Sequence, residues 1–106
     1  MADQPRYRTL PETDEYTAQY DALVSRYSDE VVTPPLLGLL WGIATNPQEY
    51  SRVTAHIYKA QSRSLGLTIP IFVIYFEILN KGTDEEQVLL LWIEEMKTTE
   101  EIGELL

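Results

Sequence analysis

A chain of 106 residues with no cysteine has room for one core, and it excludes disulfides, thiolate metal sites and a cysteine nucleophile. Its 44% hydrophobic and 24% charged content is that of a folded globular protein rather than a disordered one. The net charge of −9 repels phosphate and disfavours direct binding to nucleic acid.

At the N-terminus, MADQPRYRTL has no apolar signal region. The longest nearly uncharged apolar run, Leu67 to Phe76, is far below the roughly 20 residues that a membrane span requires. With cysteine absent as well, these features predict a cytoplasmic protein without membrane contact. Residues 1–11, with Pro5, Pro11, Arg6 and Arg8 and no periodicity, read as an N-terminal arm. Residues 12–106 then form a single domain.

Thr13, followed by Asp14 and Glu15, opens a helix to about Tyr27, because a short polar cap and first-turn acids suit its orphan amides and its dipole. Tyr16, Tyr20, Leu23 and Tyr27 recur on one face. Thr33-Pro34-Pro35 predicts a second start, since proline in a first turn loses no intrahelical bond. The short helix that follows is apolar nearly all round and ends at Asn46-Pro47. Asn46-Pro47-Gln48-Glu49 reads as the cap of a third helix running to about Leu65 and stopped by Gly66.

Leu67 to Leu79 carries conflicting signals. Its β-branched and aromatic residues favour a strand. The early Pro70, the Asn80-Lys81-Gly82 stop and the i,i+4 pair Glu77 and Lys81 favour a helix. No other segment reads as a partner strand, and a lone strand cannot satisfy its backbone. The prediction is a buried helix. Thr83-Asp84-Glu85-Glu86 reads as a capping box leading into a helix from Val88 to about Lys97, and Thr98 caps a last short helix to Leu105 and Leu106. The expected fold is all-α, a compact bundle of five or six short helices.

No catalytic, cofactor or metal motif stands out. His56, the sole histidine, has no serine at i±3 or i±4 on its expected helix. Glu77 has Lys81 to pair with, and the adjacent Glu94 and Glu95 diverge by about 100° on a helix. The five glycines are scattered; Gly38 and Gly42 suit close helix packing.

Two signals point to partners. On a helix, Arg52, His56, Lys59 and Arg63 fall in a stripe about 60° wide, able to bind an acidic or phosphate-bearing group or the chain's own acidic C-terminal region. Residues 83–106 carry a net charge of −7. The second signal is apolar surplus. Three helices greasy over most of their circumference exceed what one small bundle encloses, which predicts an interface containing Trp41, Leu37, Leu40, Leu89 and Trp92. The expected function is a non-enzymatic protein–protein interaction module without cofactor, a homo-oligomer or a small subunit of a larger assembly, phage or viral assemblies among them. The alternative is an acidic inhibitor that mimics nucleic acid and fills a basic cleft of a partner protein.

Overall fold

The structure, a computed structural model, describes residues 7–63 and 70–96. Two helices come first, α1 (Asp14–Tyr27) and α2 (Asp29–Thr45), followed by a 3₁₀ turn at Pro47–Glu49. Four strands complete the chain: β1 (Ser51–Arg52), β2 (Ile57–Gln61), β3 (Ile71–Leu79) and β4 (Gln87–Met96). They form one antiparallel sheet in the order β1-β2-β3-β4. The fold is therefore α+β, and the expected all-α helical bundle is overturned.

The helix expected at 13–27 is present. Thr13 caps it by accepting from the Tyr16 amide, while its hydroxyl donates to the Leu91 carbonyl of β4 at 2.6 Å. One side chain thus ends a helix and docks it on the sheet. The second helix begins at Asp29, a turn before the prolines, so Pro34 and Pro35 lie inside it. Each removes an amide donor there. Ser28, at φ 91°, is the single residue between the two helices.

The sheet replaces three expected helices. Pro47 starts only a 3₁₀ turn, and residues 51–61 form the β1–β2 hairpin rather than one long helix. Residues 71–79 follow their β-branched composition. The partner strand that the sequence did not disclose is β4, whose apolar run from Val88 to Ile93 resembles a buried helix in periodicity. Asn80 (φ 53°) and Gly82 (φ 82°) do not stop a helix; they turn β3 into β4. Thr83 caps no helix either, since its hydroxyl donates to the Asn80 carbonyl and accepts from the Glu85 amide inside that turn. The helix expected after Thr98 lies outside the described residues.

Both helices lie against one face of the sheet. Tyr58, Ala60, Phe72, Ile74, Phe76, Val88, Leu90 and Ile93 face Tyr16, Leu23, Val32, Leu36, Leu39 and Ile43 in one core. Burial of a large apolar side chain is worth roughly 1.5–3 kcal/mol. Ser62, buried beside β2, accepts from the Phe72 amide at 2.8 Å and so satisfies a donor sealed from water. On the opposite face, Tyr75 stacks on Trp92 across β3 and β4, ring centres 4.5 Å apart. A bulge at this point sets Tyr75 opposite Trp92 but Phe76 opposite Leu90, leaving Leu91 as the extra residue.

The outer edge of β4 is covered. The Val88 and Leu90 amides donate to the carbonyls of Thr9 and Pro11, and the Thr13 amide donates back to Leu90, in a parallel pairing. Further along, the Gln19 side chain accepts from the Ile93 amide at 2.8 Å. Arg8 forms a buried ion pair with Glu86, and its guanidinium also donates to the carbonyls of Ala44 and Thr45 at the end of α2. Residues 8–13 are thus a strap that joins the end of α2, the β3–β4 turn and the sheet edge.

Candidate protein-interaction surface

From Val31 to Thr45, α2 carries no charged residue. Its inner side fills the core. Pro34, Leu37, Gly38 and Trp41 are exposed, and their i, i+3, i+4, i+7 spacing makes them one stripe about 100° wide. Leu37 and Trp41 are 62% and 57% exposed, the two largest apolar side chains that the helix offers to solvent. Trp41 is held at its edge by Tyr7, whose hydroxyl accepts from the indole N–H at 3.3 Å. Gly38 lies between them, and a Cβ there would meet nothing within 4 Å, so the stripe is notched.

A groove runs along each side of this stripe. One, of 390 Å³, lies between α2 and the start of the sheet, with Gly38, Trp41, Tyr50 and Arg63 on its walls. Its floor depends on Gly42, where any Cβ would collide with the Tyr50 hydroxyl. Tyr50 in turn meets Phe76 edge-on at 6.0 Å. The other groove, of 230 Å³, lies between the helices, with Tyr16 and Tyr20 on one wall and Leu37 and Leu40 on the other. Glu12 and Thr33 also line it, the Thr33 hydroxyl donating to Asp29 at 2.7 Å.

The five residues expected at one interface fall into two sets. Leu37 and Trp41 are exposed and Leu40 is half-buried on α2. Leu89 and Trp92 are half-buried on β4, with the stacked Tyr75–Trp92 pair on the sheet face turned away from the helices. Their apolarity follows from β-pairing with a buried neighbour strand, not from an enclosing bundle. Most of the expected surplus is absorbed in this way. Among the described residues of these three apolar stretches, the large side chains left exposed are Leu37 and Trp41, on α2.

The basic stripe does not exist as a helix face, because its residues lie on a hairpin. Arg52 is on β1, His56 in the bend before β2, Lys59 on β2 and Arg63 beyond it. Arg52 and His56 remain together, lining a 200 Å³ pocket with Tyr58, Glu77 and Lys81. Arg63 is instead on the wall of the α2 groove. In that small pocket the Arg52 guanidinium and the Lys81 ammonium lie 5.8 and 5.9 Å from the Tyr58 ring centre, and Lys81 donates to the Tyr58 hydroxyl at 3.3 Å. The expected Glu77–Lys81 pairing is absent among the described residues, since the strand turns these positions away from helical i,i+4 geometry. His56 and Glu77 share the pocket without a hydrogen bond between them, so no base and orienting partner are assembled. Among the described residues, no group of three or more His, Asp or Glu is placed to hold a metal ion, and no helix is long and apolar enough to cross a membrane.

Tyrosines near carboxylates are the perturbed ionisable groups. Burial, with the nearby Glu12 carboxylate, pushes the Tyr16 phenol well above its ordinary range. Tyr27 is raised by burial and by its hydrogen bond to Glu95, and Tyr75 by its hydrogen bond to Glu94. Each bond holds the phenol protonated as a donor. These are structural roles.

No protein-family model, no curated protein and no solved structure matches this chain.

Proposed function

We propose that the protein is a non-enzymatic protein–protein interaction module, acting within a homo-oligomer or as a small subunit of a larger assembly, with the outer side of α2 as its contact surface. The observation that carries this reading is the exposure of Leu37 and Trp41 on a helix stretch without a single charge, in a chain of net charge −9. Burying each side chain against a partner is worth roughly 1.5–3 kcal/mol. Aromatic residues set in an apolar patch are also the usual anchors of interfaces. The acidic-inhibitor alternative draws less support. It would rest on the acids of residues 83–106, and among these Glu86 is buried against Arg8 and Glu95 is engaged by Arg26 and Tyr27.

Site-specific photocrosslinking tests the proposal in cells that produce the protein. A benzophenone side chain at position 37 should give one discrete adduct, either a homodimer or a single partner. The same group at Asp21, exposed on α1, should give none. A chain that stays monomeric at high concentration, with no adduct from position 37, would remove the basis for this function.

A further inference from the structure

The grooves beside α2 do not specify what they receive; the charges around them do. Residues 7–49, which hold both helices, contain seven acids and only two bases, Arg8 and Arg26. All seven acids are exposed. Both bases are engaged by carboxylates from the sheet side, Arg8 by Glu86 and Arg26 by Glu95. The helical layer therefore surrounds its apolar stripe with unneutralised negative charge. Glu12 lines the groove between α1 and α2, and Thr33, also on its wall, donates to the exposed Asp29 one turn away on α2.

Resting on the interaction reading above, we propose that this groove receives a basic amphipathic helix of another protein. Its apolar face lies along Tyr16, Tyr20, Leu37 and Leu40, and its Lys or Arg residues meet Glu12, Asp29 and their acidic neighbours. Helix-in-groove recognition requires an apolar trough for anchors spaced i, i+3, i+4 and i+7, and the stripe and groove supply one. Rim charges choose among partners that share such a face, since juxtaposed like charges are repelled. A second copy of this chain fits poorly, because it presents the same acidic helical layer. Its exposed bases Arg52, Lys59, Arg63 and Lys81 lie instead on the sheet and its turns.

The test uses the full chain carrying Trp92→Phe, which keeps a ring on Tyr75 and leaves Trp41 as the sole indole. Three synthetic peptides of about 18 residues, roughly five helical turns, serve as probes. One has a leucine face with lysines elsewhere, one has the same face with glutamates, and one is the lysine peptide shuffled to destroy amphipathicity. The lysine peptide should shift Trp41 emission to shorter wavelength and bind more tightly than both others by about tenfold or more. Leu37→Ser should weaken it by a similar factor. The Glu12→Lys, Asp29→Lys double variant should weaken it several-fold and flatten its salt dependence between about 50 and 200 mM. Equal binding of the lysine and glutamate peptides, or of the shuffled one, overturns the proposal. So does a position-37 adduct that proves to be a homodimer, although the interaction reading then stands. That reading itself falls only if position 37 forms no adduct and the chain remains monomeric, whatever the peptides do.

Discussion

Arg8 is the residue with the most to lose. Its side chain is 13% exposed and that of Glu86 only 2%, and the guanidinium also serves two α2 carbonyls. Removing one member of a buried ion pair costs about 3–5 kcal/mol. Arg8→Ala should lower the unfolding free energy by that amount, read as a lower urea midpoint at unchanged slope, and Arg8→Met with Glu86→Leu should recover most of the loss. A double variant no more stable than Arg8→Ala would mean that the carbonyl contacts, not the charge pair, dominate. Gly42 is a steric case. Gly42→Ala displaces the Tyr50 hydroxyl from the α2 groove, a cost opposed by the roughly 1 kcal/mol that alanine gains over glycine within a helix, so thermal unfolding should change by less than about 1 kcal/mol.

Tyr16 gives a pH dependence whose sign is fixed by its burial. Its phenol ionises well above the usual pH of 10 in the folded chain. Below pH 10 both folded and unfolded chains keep the proton, and the contribution to stability is complete. Above it, the unfolded chain gives up its proton first, so stability declines with rising pH. Tyr27 and Tyr75 shift in the same direction. Unfolding free energies measured through the alkaline range should fall above pH 10, and Tyr16→Phe should make that fall shallower.

At the scale of elements, the strap of residues 8–13 decides how the sheet ends. Its carbonyls occupy the Val88 and Leu90 amides, and Gln19 occupies that of Ile93. A bare edge would invite pairing with other chains. Hydrogen exchange should therefore find these three amides slow, with Gln19→Ala speeding Ile93 alone. Thr13→Ala removes the cap and the bond to Leu91 together and should cost about 1–2 kcal/mol. How far these elements were legible in the sequence follows from their causes. α1 was readable because a cap, first-turn acids and an apolar spacing act within a few residues. β3 and β4 were not, since each is a strand only by virtue of the other. The continuous apolar run of a strand buried on both faces has the signature of a buried helix. The same limit applied to the site. Leu37 and Trp41 stand out in the sequence by their apolarity and are exposed in the fold, whereas Leu89 and Trp92 carry that apolarity for sheet packing, and the basic stripe is lost with its helix.

For the whole molecule, charge and apolarity are segregated. The helices carry exposed acids around an uncharged stripe, and the hairpin side carries most of the exposed bases. Leu37→Ser should accordingly leave folding stability within about 0.5 kcal/mol, as for most surface changes, while reducing association. A large loss in thermal unfolding would place Leu37 in the core's service instead.

The strap also imposes a timetable. Arg8 meets Glu86, and Thr13 meets Leu91, across 78 positions of chain. At a synthesis rate of 5–20 residues per second, that span takes about 4–16 s to make. For the part of that time that follows the synthesis of α2, a nascent helical pair waits with Leu36, Leu39 and Ile43 lacking their complete sheet. A newborn chain is thus open to chaperone capture or clumping until β4 leaves the ribosome and closes the core.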